Sequence, residues 1–213
     1  MRILFIGVNP KDTGQLRLQD EINVIKDIVD PTNNRLYVRN ASTKRAMRRY
    51  LNKYKPNVLH ISGHGNDDQT LLFEDENGHT EIVYIDQLGT FLDHYSKYLK
   101  CVVLSACYSL NNVEIFSSKI HCVIGMKMAV ANTMAIDFSR AFYDSLCSGE
   151  TFESAFGIAK AELNLSSAED HDVLKIIVNK NIDSVPPDLP KIKWVIVGFV
   201  LATIVVLGYL LYS

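Results

Sequence analysis

Hydrophobic positions in this chain fall into two repeating patterns, short continuous runs and runs with helical spacing. The apolar run over residues 2–8 predicts a strand, and apolar residues at helical spacing predict a helix over residues 18–29 that stops at Pro31. Further strands are predicted at 36–39, 57–62, 101–106, 120–125 and 173–178, and further helices between Ser42 or Thr43 and Pro56, over 86–98, from Ala135 to Leu146, and after Thr151. Because strands alternate with helices, we expect an α/β fold whose mainly parallel sheet carries helices on both faces.

One pair of strands has a different signature. Residues 71–74 and 81–83 are apolar or β-branched and flank Glu76-Asn77-Gly78. An Asn-Gly pair between two such runs is typical of a hairpin turn, so an antiparallel hairpin is predicted here.

Residues 192–212 contain no charged residue. At about 1.5 Å per residue, a helix of this length reaches roughly 31 Å, the thickness of a bilayer core. Trp194 lies near one end of the segment, and Tyr209 and Tyr212 lie near the other, as interfacial aromatic residues do. The pattern predicts a C-terminal transmembrane helix rather than a buried core helix.

The expected domain organisation follows from this segment. Residues 1–180 form the folded domain, residues 181–191 form a Pro-rich linker, and the span follows. Lysines precede the span and only one serine follows it, so the positive-inside tendency predicts a single-pass, C-terminally anchored protein of the cytoplasmic membrane with its domain in the cytoplasm. Gly198 and Ala202 form a small-xxx-small pair that favours helix pairing, which leaves a homo-oligomer open as an alternative to a monomer.

Composition narrows the function classes. Hydrophobic residues make up 47% of the chain, so its main part is not expected to be intrinsically disordered. The formal net charge is −2, so no overall positive charge would attract nucleic acid. The first residues predict a strand and not a signal peptide, so the four cysteines are expected to be free thiols in a reducing compartment. Their spacing does not match a zinc site, and no metal is expected.

Candidate catalytic residues follow two of the predicted strands. His64 follows the 57–62 strand between Gly63 and Gly65, which would allow a tight turn that presents the imidazole, and Cys107 follows the 101–106 strand. Parallel sheets bind ligands at the carboxyl ends of their strands. If these two strands are neighbours, a thiol and an imidazole meet there, as thiolate chemistry needs. Taken singly, a core cysteine and a structural histidine remain alternative interpretations.

The two motifs around these residues are more specific in combination. His-x-Ser-Gly-His-Gly at 60–65 and Leu-Ser-Ala-Cys-Tyr-Ser at 104–109 resemble the catalytic motifs of the CHAT branch of the caspase-like (clan CD) cysteine peptidases. Stretches at 3–18, 71–75 and 123–143 resemble the same family in the same order. The resemblance covers roughly residues 1–178.

The resemblance implies a caspase-like fold and a cysteine endopeptidase that cleaves a protein or peptide substrate without a cofactor. In this family, His64 would be the general base and Cys107 the nucleophile. The backbone N–H groups of Gly65 and Cys107 would form the oxyanion hole. Family members often act in bacterial defence or cell-death systems, where a partner protein activates them.

One departure from the family pattern concerns the substrate pocket. Many members carry an acidic residue where this chain has Ala131-Asn132-Thr133, so a preference for basic residues cannot be carried over. Met126, Met128 and Asn132 are the candidates for the substrate pocket. Together with Val130, they indicate an apolar or mixed pocket.

Other functions are also compatible with the sequence. A catalytically silent membrane-bound adaptor or effector, acting through oligomerisation of its transmembrane helix, is the main alternative function, and a flavodoxin-like binding module is a weaker one. The basic face of the helix over residues 44–55 is compatible with nucleic acid or anionic lipid, but a solvated helix face is the favoured interpretation and no specific nucleic-acid partner is expected.

Overall fold

The computed structural model describes residues 1–40, 43–110, 119–166 and 173–182. The predicted span over residues 192–212 and most of the linker before it lie outside this range. Within the described ranges, no helix is both long enough and apolar enough to cross a bilayer.

The main sheet has six strands, in the order β2-β1-β3-β7-β8-β9. All neighbouring pairs are parallel except β8 and β9, which are antiparallel. This confirms the predicted mainly parallel sheet. The strands are β1 Arg2–Gly7, β2 Arg35–Arg39, β3 Val58–Ser62, β7 Cys101–Ser105, β8 Cys122–Met126 and β9 Leu174–Val178.

Helices cover both faces of the sheet, as predicted. Side chains alternate along each strand, so that Ile3 and Phe5 pack with α1, α4 and α5 on one face, whereas Leu4 and Ile6 pack with α2 and α3 on the other. The predicted 86–98 helix is shorter than expected, because α3 ends at Asp93 and residues 94–98 form turns. The helices are α1 Leu18–Val29, α2 Lys44–Tyr54, α3 Ile85–Asp93, α4 Asn132–Cys147 and α5 Phe152–Ser166.

Local sequence signals account for several helix ends. The Thr43 side chain accepts a hydrogen bond from the Ala46 N–H at 3.1 Å, and Thr151 accepts one from Ser154 at 3.1 Å. Gly149, just after α4, has a φ of +106°, a conformation that favours glycine.

A second, three-stranded antiparallel sheet holds the predicted hairpin. It consists of β4 His64–Asn66, β5 Thr70–Glu74 and β6 Thr80–Tyr84, and Gly78 in the hairpin turn has a φ of +82°. The hairpin prediction is confirmed. The prediction of a tight turn around His64 is wrong, because His64 lies at the start of β4 and is paired with Leu72 of β5.

The described chain ends beside the start of β8. The N–H of Asn179, just after β9, donates to the carbonyl of His121 at 2.8 Å. The Nδ1 atom of His121 lies 2.9 Å from the carbonyl oxygen of Ile182. Since β9 runs antiparallel to β8, the described chain ends at the edge of the sheet where the parallel strands begin.

Candidate active site

The two candidate catalytic residues follow neighbouring strands. β3 and β7 are parallel, with Ser62 paired to Ser105 in register, and His64 and Cys107 each lie two positions further along the chain. The prediction that these strands are neighbours is confirmed. Equal offsets from a registered pair bring the imidazole and the thiol to the same level of the sheet edge.

His64 and Cys107 line one cavity at this edge, and both side chains are half-buried. Of the predicted substrate-pocket residues, Met126 and Asn132 line this cavity, whereas Met128 lies outside it in the loop after β8 and is 49% exposed. The other lining residues are Leu16, Arg17, Leu18, Glu21, Ser62, Gly63, Ser105, Ala106, Val130, Ala135 and Ile136.

A backbone carbonyl fixes the orientation of His64. The Nε2 atom lies 2.6 Å from the carbonyl oxygen of Gly14, in the segment between β1 and α1. A carbonyl oxygen can only accept a hydrogen bond, so Nε2 carries the proton. In the neutral ring, Nδ1 then holds the free lone pair. No hydrogen bond joins the His64 ring to the Cys107 thiol.

The glycines beside His64 serve close approach and not a turn. Neither Gly63 nor Gly65 has a positive φ. A Cβ atom on Gly63 would lie 3.1 Å from the carbonyl oxygen of Val8, and one on Gly65 would collide with the carbonyl oxygen of Cys107. The backbone of β4 therefore packs directly against the loop that carries Cys107 (the nucleophile loop of the proposed dyad), which only glycine at position 65 allows.

The loop that carries Cys107 is held by Ser109, which is buried. The Ser109 hydroxyl donates to the carbonyl of Leu104 at 3.1 Å and accepts from the N–H of Met126 at 3.0 Å. Tyr108, between Cys107 and Ser109, has a φ of +56°. This left-handed conformation costs a non-glycine residue about 1 kcal/mol. Strain of this kind beside a reactive residue persists only where the surroundings hold the loop in place.

A buried carboxylate lies beneath the cavity. The Oε2 atom of Glu21 accepts from the Ser62 hydroxyl at 2.6 Å, and Oε1 accepts from Ser105 at 3.1 Å and from Ser139 at 2.7 Å. Burial by itself raises the pKa of Glu21, but nearby His60 and the hydroxyl donors outweigh it, and the net pKa lies below the ordinary value. Glu21 is therefore ionised at neutral pH.

His60 also belongs to this network, and it lies on β3, two residues before Ser62. Its Nε2 atom lies 3.2 Å from Oε1 of Glu21 without a well-aligned hydrogen bond, and its Nδ1 atom lies 3.0 Å from the Tyr143 hydroxyl. The ring also stacks on Phe5 at a centroid distance of 4.8 Å. The prediction that His60 is a buried strand residue is confirmed.

Sequence reasoning missed Glu21, Gly14 and Ser109. A signal for Glu21 was present, because it lies three positions after Leu18 and four before Ile25, and so falls on the apolar stripe of α1. A carboxylate in such a stripe indicates a buried partner. A backbone carbonyl such as that of Gly14 leaves no comparable trace in the sequence.

The remaining cysteines do not line the cavity. All four cysteines are free thiols; Cys101 and Cys122 are buried and paired in register across β7 and β8, as expected of core residues. Burial raises the pKa of the Cys101 thiol well above its ordinary value, and it also raises that of Cys147. Thiols of this kind are poor nucleophiles at neutral pH.

Two solved structures share this architecture. One is caspase-1 from Spodoptera frugiperda, with a TM-score of 0.57 and 11% identity over 84% of this chain and 85% of that one. The other is a secreted C11 cysteine protease from Bacteroides thetaiotaomicron, solved with an irreversible peptide inhibitor, with a TM-score of 0.56 and 11% identity over 83% of this chain and 66% of that one. At this identity the likeness establishes a caspase-like fold.

Sequence comparison adds a relative and a family. A protein of Gillisia limnaea described as a probable protease is 28% identical over 153 residues, which are 69% of this chain and 27% of that protein. The present chain therefore spans about a quarter of that relative's length. The CHAT domain family matches residues 10–190, most of the sequence, and the chain belongs to the CHAT domain family.

Proposed function

We propose that this chain is a caspase-like cysteine endopeptidase that cleaves a protein partner through a Cys107–His64 dyad. The observation that carries the proposal is the register of β3 and β7, from which both side chains enter one cavity at equal offsets. The family match, the caspase-like fold and the relative described as a probable protease support the same reaction class.

The acylation step follows from the tautomer of His64. Because Gly14 holds the proton on Nε2, Nδ1 is the ring nitrogen that takes the proton of the Cys107 thiol. The thiolate sulfur attacks the scissile carbonyl carbon and forms a tetrahedral oxyanion. The imidazolium then donates its proton to the departing amine, the C–N bond breaks, and a thioester to Cys107 remains.

In deacylation the same imidazole is the base, and water is the nucleophile. A water molecule gives a proton to the neutral imidazole and its oxygen attacks the thioester carbon. The C–S bond then breaks, the carboxylic acid leaves, and the imidazolium returns its proton to the Cys107 sulfur. The N–H groups of Gly65 and Cys107 are the proposed donors to the oxyanion in both steps. The close packing of Gly65 against the Cys107 backbone supports their cooperation at one oxygen.

The cavity supports a mixed specificity pocket. Apolar side chains of Leu16, Met126 and Ile136 line it together with the polar side chains of Arg17 and Asn132. A substrate residue with an apolar stem and a polar end matches such a lining, which agrees with the expectation of an apolar or mixed pocket.

We further propose that residues 192–212 anchor the domain to the cytoplasmic membrane, with the domain in the cytoplasm. The length, lack of charge and aromatic ends of this segment support the anchor. An activating protein partner and a role in bacterial defence or cell death are proposed from the family resemblance.

The dyad is tested by labelling the full chain with a thiol-reactive peptidyl probe and locating the label by mass spectrometry. We expect label at Cys107 in the wild type, strongly reduced label in His64→Ala, and none at this position in Cys107→Ala. Cys147→Ala is the matched control, because Cys147 is also a half-buried free thiol, and we expect it to label like the wild type. Equal labelling of wild type and His64→Ala would rule out the dyad.

The anchor is tested separately by fractionation of the full chain and of a variant lacking residues 192–212. We expect the full chain in the membrane fraction and the shortened chain outside it. If a cellular phenotype survives Cys107→Ala and is lost with the span, the catalytically silent effector replaces the peptidase as the explanation.

A further inference from the structure

Glu21 connects the two strands that lead to the dyad. Ser62 ends β3 and Ser105 ends β7, and their hydroxyls donate to different oxygens of the same carboxylate, at 2.6 Å and 3.1 Å. Glu21 itself belongs to α1, which crosses one face of the sheet. One side chain thus bridges neighbouring strands at the level where their loops begin.

The bridge is also tied to the cavity wall. Ser139 of α4 donates to Oε1 of Glu21 at 2.7 Å, and the first turns of the same helix supply Asn132, Ala135 and Ile136 to the cavity lining. Glu21 is only 3% exposed, yet it borders the cavity as well. The carboxylate therefore joins both dyad strands and one wall of the substrate cavity.

This arrangement is unfavourable unless the partners are held in position. A buried carboxylate loses its hydration, and hydroxyl donors compensate for that loss only with short, well-directed hydrogen bonds. A residue needed only to fill the core would be replaced without this cost by leucine, and apolar replacements of buried charges are often neutral or stabilising. The hydroxyls at both strand ends must therefore keep their places around Glu21.

We propose that Glu21 is a positioning residue of the dyad, which fixes the spacing of His64 and Cys107 through the Ser62 and Ser105 hydroxyls. The inference rests on the proposed dyad. Glu21 acts through the two serines, each of which lies two residues before a dyad member. With glutamine in its place, one carboxylate oxygen becomes an NH2 donor, so the two hydroxyls can no longer both donate to the same group, and the thiol and the imidazole lose their mutual alignment.

The test uses the full chain and needs no substrate. The rate of alkylation of Cys107 by iodoacetamide is measured across pH by mass spectrometry, in parallel with the thermal midpoint. We expect Glu21→Gln to slow alkylation near pH 7 by about tenfold, the size expected for the loss of a charge-assisted hydrogen bond. The dependence of the rate on His64 separates positioning from a merely structural effect. We expect His64→Ala to slow alkylation strongly in the wild type, but to slow it only slightly further in a protein that already carries Glu21→Gln.

The control is Glu153→Gln, which removes a carboxylate that is 41% exposed, whereas Glu21 is buried. The Glu153 carboxylate lies 3.2 Å from Nε2 of His121, the same spacing as in the Glu21–His60 pair, but at the opposite edge of the sheet. We expect this variant to alkylate at the wild-type rate. Ser105→Ala and Ser105→Thr extend the test if Glu21→Gln fails to fold, because only the threonine keeps a hydroxyl and only the alanine should slow alkylation.

The outcomes separate this inference from the proposed function. If His64→Ala leaves the wild-type alkylation rate unchanged, the dyad itself fails. If His64→Ala slows the wild type, but Glu21→Gln or Ser105→Ala reacts like the wild type or adds its effect independently of His64, the dyad stands and the positioning role of Glu21 is overturned.

Discussion

The imidazole of His64 is hydrogen-bonded through Nε2 to the carbonyl of Gly14, a residue 50 positions earlier in the chain, at 2.6 Å. The contact crosses from the segment after β1 to the first residue of β4. It selects one tautomer of the ring and leaves Nδ1 as the nitrogen that can accept a proton, which in the proposed dyad comes from Cys107. The orientation of the proposed base is thus set by main chain and not by a carboxylate side chain.

The tautomer can be observed directly. In protein labelled with ¹⁵N-histidine, we expect the neutral His64 ring to carry its proton on Nε2, with Nδ1 unprotonated, because a carbonyl acceptor faces Nε2. The measurement is a ¹⁵N–¹H correlation spectrum of the imidazole, assigned by comparison with His64→Ala. A neutral ring protonated on Nδ1 would contradict the assignment of the base.

Gly65→Ala should disable the site. An added Cβ would overlap the backbone carbonyl oxygen of Cys107, so β4 and the nucleophile loop must move apart. We expect loss of probe labelling at Cys107 and a lower thermal midpoint. Gly157→Ala in α5 is the control, since a Cβ there meets nothing within 4 Å and alanine is favoured over glycine in a helix by roughly 0.5–1 kcal/mol. Retention of full labelling in Gly65→Ala would refute the steric argument.

Ser109→Ala should loosen the nucleophile loop. The change removes a buried hydroxyl that accepts from the Met126 N–H and donates to Leu104, so the free energy of unfolding should fall by about 1–3 kcal/mol. Urea unfolding measures the effect. Ser145→Ala is the comparison, because its hydroxyl only donates to the carbonyl of Ala141 within α4, and a smaller loss is expected there. Equal losses would argue against a special role for Ser109.

Glu21 should make stability depend on acid pH. Its folded pKa lies below the ordinary value of 4.5, so the folded state binds fewer protons than the unfolded state over that range. Its contribution is therefore complete above pH 4.5 and is lost as the pH falls through the lower folded pKa. Between neutral pH and about pH 3, the thermal midpoint of the wild type should fall further than that of Glu21→Gln. Carboxylates that both proteins share cancel in this comparison, and parallel curves would contradict the prediction.

The sequence predicted the main elements because their signals are local. The bounds of α1 agree with the predicted 18–29 helix, since an amphipathic stripe and Pro31 define both ends, and the Asn-Gly turn identified the hairpin. β4 was missed because a strand of three residues with two polar positions and one glycine has no periodicity of its own. Its pairing depends on β5, which lies further along the chain.

The sequence predicted the candidate catalytic residues of the site, but not the residues that hold them in position. His64 and Cys107 stand out as reactive residues at strand ends, and their motifs resemble a known pair. The residues that hold them act through tertiary contacts, such as Glu21 from α1, or through main-chain atoms, such as the carbonyl of Gly14. Spacing in the sequence does not encode such contacts, although a carboxylate on an apolar helix face indicates where one should be sought.

The antiparallel direction of β9 sets the geometry of any attachment beyond Ile182. The dyad opens at the carboxyl ends of the parallel strands, and Asn179 and Ile182 contact His121 at the other end of β8. If the proposed segment over residues 192–212 anchors the chain, the anchor is joined to the domain at the end of the sheet opposite the dyad. A chain joined at that end would not need to pass across the mouth of the cavity.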